Sequence, residues 1–146
     1  MNNKKRNNKK GFTLVEVMAV LIIIGLLSAV AVKNFMGTTK KASVIQTKAN
    51  LKVLHEAVQL FRMDVLRIPT EEEGLEALIL EPPDAEGWEI GGYLESTELP
   101  KDGWKRDFDY STDPGNGKDF VVISYGADGE EGGEGYDADL WSTDAD

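Results

Sequence analysis

The 146 residues contain no cysteine, one histidine and five prolines, none of them before Pro69. Without cysteine there is no disulfide framework and no thiolate chemistry. A small domain working in an oxidising compartment then needs some other staple. The single histidine, His55, stands on a helical pattern beside Lys52 and Glu56 and reads as a surface residue rather than a ligand or a base, because a catalytic imidazole needs partners. The lack of proline over the first 68 residues leaves nothing to stop a helix there. Acidic residues are missing from Met1 to Gly11, which carries Lys4, Lys5, Arg6, Lys9 and Lys10.

That basic leader ends at Gly11-Phe12, and an apolar run begins at once. An ordinary secretory signal is cut after its apolar stretch, whereas the only seam here precedes it. Cleavage between Gly11 and Phe12 would keep the hydrophobic segment in the mature chain and place a new α-amino group four residues from Glu16. It would also take five of the sixteen basic residues, leaving eleven against twenty-six acidic ones, a net of −15. So acidic a chain is no nucleic-acid binder, since that function needs basic surface. The leader reads instead as a topology signal that stays cytoplasmic and sends the chain beyond the apolar run across the membrane.

From Phe12 to Val32 only Thr13, Glu16 and Ser28 are appreciably polar. As a helix the segment would span about 31 Å, a match for the hydrocarbon core of a bilayer. Leu51, Leu54, Val58, Phe61 and Val65 then recur at spacings of three and four, which predicts an amphipathic continuation. The simplest account is one helix from near Phe12 to near Leu66, on the order of 80 Å long, loosened at Gly25 and Gly37-Thr38-Thr39. Thr70 and Glu73 form a capping-box pair for a short second helix through Gly74–Leu78, closed by Pro82-Pro83. Trp88 and Trp104 read as packing anchors. Phe108–Ser111 and Phe120–Tyr125 are strand patterns joined by the turn-rich Asp113-Pro114-Gly115-Asn116-Gly117, a hairpin. Gly126–Asp139 has no periodicity, Leu140-Trp141 anchors it to the core, and Ser142–Asp146 is expected to fray.

Gly11-Phe12-Thr13-Leu14-Val15-Glu16 resembles the processing motif of the type IV pilin-like superfamily. Three further stretches resemble the major, G-type pseudopilins of type II secretion: Ile68-Pro69-Thr70 with Gly74-Leu75-Glu76-Ala77-Leu78, Tyr93-Leu94 with Leu99-Pro100-Lys101-Asp102-Gly103-Trp104, and Ser124-Tyr125-Gly126-Ala127-Asp128-Gly129 with Asp137-Ala138-Asp139. The resemblance implies an α+β fold: a long N-terminal helix, its first half membrane-spanning, packed against a small globular head with a short antiparallel sheet and a calcium-binding loop. It divides the chain into a removed leader (1–11), a transmembrane half-helix (12–32) and a periplasmic head (33–146). It implies cleavage between Gly11 and Phe12 by a prepilin peptidase that also methylates Phe12. The implied function is non-enzymatic: a homopolymer, with other pseudopilins and an inner-membrane assembly platform, forming a periplasmic filament that drives folded exoproteins outward. The subunit would be held before assembly in the inner membrane, N-terminus cytoplasmic and head periplasmic. Two positions depart from the family, which usually has proline at Lys33 and at Gly103. Lys33 removes a proline kink, leaving any loosening to Gly25 or to packing, and its stem can snorkel at the membrane boundary.

Glu16 is costly inside an apolar span and by default asks for a partner. Either it reaches the cytoplasmic interface, or it pairs with the freed amine of Phe12 on a neighbouring subunit, the role the resemblance implies. The acidic glycine loop has the oxygen-rich composition calcium uses but not EF-hand spacing, so on composition a solvated loop and a metal site stand side by side. The resemblance implies one calcium ion held by Asp128, Asp137, Asp139 and the main-chain carbonyl of Tyr125. Three alternatives remain: a type IV pilin or minor pseudopilin; a membrane-anchored calcium-binding protein, which predicts no cleavage at Gly11; and a membrane-anchored hydrolase using paired acids such as Asp107 and Asp109, for which no nucleophile and base pair is visible.

Overall fold

The computed structural model describes residues 11–115 and 117–144, with the backbone alone for 30–36. The leader residues before Gly11, the Lys33 side chain and Asn116 of the hairpin turn thus lie outside the described residues. The chain divides into two units, Met1–Thr38 and Thr39–Asp146, and a single helix, α1 (Leu14–Val65), contributes to both. The helix runs unbroken through Gly25 and Gly37.

In the first unit the apolar side chains from Leu14 to Leu27 are all solvent-facing. Among the described residues no helix is long and apolar enough to cross a membrane. The described side chains of this apolar stretch end at Ala29, short of the roughly 20 residues that a span requires.

In the second unit, Leu51, Leu54, Val58 and Phe61 of α1 are fully buried, with Val65 packed against them, as the spacing predicts. They meet Leu75, Ala77 and Leu78 of a 3-10 turn, α2 (Gly74–Leu78), and Phe120 and Val122. The expected second helix is therefore a single tight turn. Gly74 stands at φ +57°, a left-handed conformation that blocks an α-helix from running on from Thr70, and Pro82-Pro83 closes the other side. The capping box itself forms: the Thr70 N–H donates to Glu73 Oε2 (2.9 Å) and the Glu73 N–H donates to Thr70 Oγ1 (3.2 Å).

The sheet has order β1-β2-β3, all antiparallel. β1 (Asp109–Ser111) and β2 (Val121–Ser124) are the expected hairpin, with Tyr110 opposite Val122. β3 (Leu140–Trp141) pairs with the other edge of β2, Ile123 opposite Trp141. The Ser142–Asp144 segment is not frayed: it forms a second 3-10 turn in which Ser142 is buried. Its hydroxyl accepts the Val122 N–H at 3.0 Å and lies 3.2 Å from Nδ1 of His55. His55, expected at the surface, is half-buried and stacks on Phe120 with ring centroids 4.8 Å apart. It joins α1 to the end of the chain.

Candidate functional site

Two regions carry the site residues. At the N-terminus, Gly11, Phe12 and Thr13 precede the first turn of α1, with Phe12 89% exposed. Thr13 and Glu16 form a second capping box. The Thr13 N–H donates to Glu16 Oε2 at 2.9 Å, the Thr13 hydroxyl donates to the same oxygen at 3.1 Å, and the Glu16 N–H donates to Thr13 Oγ1 at 3.2 Å. The carboxylate stabilises the positive end of the helix and satisfies N-terminal N–H groups that have no helical acceptor. T-x-x-E ahead of an apolar run is the same signature as Thr70 with Glu73, yet in the sequence Thr13 reads only as one of three polar residues in the apolar span.

The second region is the acidic loop between β2 and β3. Its neck is closed by backbone contacts: the Ala127 N–H donates to the Tyr136 carbonyl at 2.9 Å, and Gly126, at φ +59°, lies so close to Asp137 and Ala138 that a Cβ there would sit 2.7 Å from the Asp137 carbonyl. Only glycine suits this position. Arg106 braces the neck, donating to the carbonyls of Gly126 (2.6 Å) and Ala127 (2.7 Å).

The expected ligands occupy different settings within the loop. The Tyr125 carbonyl accepts the Gly129 N–H at 3.0 Å. Its phenol donates to Asp109 Oδ2 at 2.6 Å, and that hydrogen bond, reinforced by burial, pushes the Tyr125 pKa up to about 12. Asp128 is exposed, with Oδ1 accepting the Glu130 N–H at 3.1 Å. Asp137 is exposed. Asp139 is half-buried: Oδ2 accepts the Gly132 N–H at 3.0 Å, while Oδ1 is buried with no hydrogen-bond partner. Among the described residues no three His, Cys, Asp or Glu side chains are grouped to hold a metal, so Asp128, Asp137 and Asp139 are not gathered into one coordination shell. The chemistry of the donors nonetheless fits a hard cation. A buried carboxylate oxygen left without a donor is destabilising, and Asp139 Oδ1 is such an atom.

Behind the loop stands a residue that the sequence places inside an ordinary turn. Asp102 is 1% exposed. Its Oδ1 accepts the N–H groups of Trp104 (2.9 Å) and Arg106 (2.8 Å), and its Oδ2 accepts the Ser124 hydroxyl (2.9 Å). It fixes the turn that presents Arg106 to the loop.

The acids Asp107 and Asp109 border a cleft of about 200 Å³. They are otherwise engaged: Asp107 pairs with Lys101 at 3.0 Å, and Asp109 accepts the Tyr125 hydroxyl. Among the described residues no serine, cysteine, histidine or lysine lines the cleft.

Comparison with known proteins agrees with the geometry. Residues 34–143 match the family described as type II secretion system protein G, and residues 6–32 match the prokaryotic N-terminal methylation motif. The type II secretion system core protein G of Vibrio cholerae is 39% identical over 139 residues, covering 94% of this chain and 93% of that protein. The core protein G of Pseudomonas aeruginosa is 36% identical over 143 residues, covering 96% and 99%. The crystal structure of the major pseudopilin from the type 2 secretion system of enterohaemorrhagic Escherichia coli superposes with a TM-score of 0.60 at 32% identity, covering 74% of this chain and 92% of that one. The resemblance read from the sequence is borne out, and the chain belongs to the type II secretion system protein G family.

Proposed function

We propose that the chain is the major structural subunit of a type II secretion pseudopilus, stored in the inner membrane by its apolar helix and polymerised into a periplasmic filament that moves folded proteins through the outer membrane. The observation that carries this reading is the join of two matched parts on one helix, a methylation motif at its start and a protein G head at its end. A prepilin peptidase would cut between Gly11 and Phe12 and methylate the new amine. Residues 12–32 would lie in lipid before assembly and in the filament core after it, where apolar helix packing supplies most of the cohesion. Other pseudopilins and an inner-membrane platform would be the remaining partners.

Glu16 has a role in each state. In the free subunit Thr13 satisfies its carboxylate. In the filament the methylated amine of a neighbour's Phe12 would take that place, since a buried charge is tolerated only with a partner. In the head, Asp128, Asp137, Asp139 and the Tyr125 carbonyl are proposed to hold one calcium ion, supported by the unpartnered Asp139 Oδ1. Calcium would gather the acidic loop and stabilise the folded head by mass action, in place of disulfides. The mature protein is expected to have the mass of a chain starting at N-methylated Phe12, and deletion is expected to abolish secretion of exported enzymes. A mature mass starting at Met1, or unchanged secretion, overturns the reading.

A further inference from the structure

A small recess of about 100 Å³ beside α1 is lined by Lys48, Asp139, Leu140, Trp141 and Asp144. It brings one cation of the helix to the two acids that flank β3. Thr47, the residue before Lys48, is fully buried, while Lys48 itself is exposed. The lysine therefore leaves α1 at the margin of the core, on the side where β3 returns. Of the two acids, Asp144 is exposed and Asp139 half-buried. Asp139 is also the residue whose Oδ1 is buried without a hydrogen-bond partner.

Among the described residues Lys48 enters no ion pair. Its ammonium borders the recess without being fixed to either carboxylate. The other cations near the acidic loop are held elsewhere: Arg106 donates to the carbonyls of Gly126 and Ala127, and Lys40 lies over the Tyr136 ring, 5.8 Å from its centroid. A Coulomb interaction falls only as the inverse of distance, so an ammonium at the edge of a half-buried recess acts on Asp139 without touching it.

We propose that Lys48 sets the calcium affinity of the acidic loop: its ammonium is the counter-charge of Asp139 in the metal-free head and opposes the divalent ion at that carboxylate. This deepens the calcium reading given above and rests on it. A bound calcium ion would be the largest charge in the recess, and a lysine beside it is repelled. Groups beyond the ligands tune a metal site in this way without coordinating the metal. The four-carbon stem of Lys48 lets the ammonium turn out to water when the ion enters, so the cost is a weaker site rather than a blocked one. The same lysine spares the metal-free head part of the penalty of a buried, unanswered carboxylate. Occupancy of the loop is thereby felt on α1, because filling the site drives a charge of the helix from the recess into solvent.

The test uses the full-length chain in detergent micelles, stripped with chelator and titrated with calcium by calorimetry. Lys48→Gln, at an exposed position, is expected to bind calcium about fivefold more tightly than wild type or better. Lys48→Arg, which keeps the charge, should stay close to wild type. The advantage of Lys48→Gln should shrink as salt is raised from about 0.05 to about 0.5 M, since added ions screen the ammonium. In chelator, Lys48→Gln should melt below wild type, because Asp139 has lost its counter-charge. A wild-type chain that binds no calcium overturns the calcium reading and this inference with it. Wild type that binds calcium, with Lys48→Gln of equal or weaker affinity, overturns the inference alone. So does a gain in affinity that Lys48→Arg shares or that salt leaves unchanged, because a packing effect of the side chain would produce either.

Discussion

Ser124 donates its hydroxyl to Oδ2 of Asp102 at 2.9 Å, and both residues are 1% exposed. This contact ties the 102–106 turn to the central strand, and Arg106 at the end of that turn holds the mouth of the acidic loop. The brace makes a testable unit. Asp102→Ala would strand the N–H groups of Trp104 and Arg106 and the Ser124 hydroxyl. Hydrogen bonds to a charged group contribute about 1.5–3 kcal/mol each and do not add in full, so a loss of about 3 kcal/mol or more is expected in urea unfolding followed by tryptophan fluorescence. Asp102→Asn, which can still accept from the backbone, should lose less. An unchanged midpoint for Asp102→Ala would remove the brace from the account.

Acid sensitivity has an identifiable source in the Arg67 and Glu73 pair. The guanidinium donates to both carboxylate oxygens, at 2.6 and 2.8 Å, and this holds the Glu73 pKa below its ordinary value of 4.5, helped by the Thr70 N–H and opposed by burial. A lowered carboxylate pKa stabilises the fold above the unfolded value and ceases to as pH falls through the folded one. Glu73→Gln should therefore be less stable than wild type near neutrality, by about 1 kcal/mol for a pair this accessible. The gap should close as pH drops below about 4.5. Urea midpoints for both proteins across that range check it, and a gap independent of pH contradicts the assignment.

The residues legible in the sequence are those whose signal is periodic or positional. Leu51, Leu54, Val58 and Phe61 announce a buried helix face by spacing alone, and Thr70 with Glu73 announces a cap. Asp102 gives no such signal, because Lys101-Asp102-Gly103 reads as an ordinary turn and burial there depends on β2 arriving from 22 residues away. Gly103 is similar. A Cβ at this position would collide with the backbone of Ser43, and the Gly103 N–H donates to Thr47 Oγ1 at 2.8 Å. A glycine where the family usually carries proline is thus fitted to α1 in this chain. β3 is two residues long and has no period to detect, and His55 owes its burial to Phe120 and Ser142, both remote in sequence. At Thr13 the signal is present. Glu16 stands out as a charge in an apolar run, and that prominence hides its local partner.

That local partner sharpens what an assembly experiment can decide. Glu16→Ala removes both the cap and the charge, so failed incorporation alone would not say which mattered. Glu16→Gln keeps an oxygen that can accept from Thr13 and removes only the charge. If a neighbour's amine is the partner in the filament, Glu16→Gln and Glu16→Ala should both be excluded when co-produced with wild type, as judged from the composition of sheared filaments. Incorporation of Glu16→Gln at wild-type levels would assign the residue to helix capping and end the amine-pairing account.

The calcium proposal turns on one atom. Asp139 Oδ1 is buried without a donor while its twin oxygen is held by the Gly132 N–H, so one of the two oxygens is left unanswered. A cation binding there would relieve that cost, and the exposed Asp128 and Asp137 are free to join it because moving them breaks little. Calcium accepts such irregular oxygen sets, whereas magnesium demands near-octahedral geometry and gives up water reluctantly. The thermal midpoint of the purified protein is therefore expected to fall with chelator and to recover with millimolar calcium but not with magnesium. The full test adds Asp139→Asn. It replaces the unpartnered oxygen with a neutral group, so it should abolish the calcium response and leave the chelated midpoint close to that of chelated wild type. A wild-type midpoint indifferent to chelation would refute the site. A calcium response that survives Asp139→Asn would move it elsewhere in the molecule.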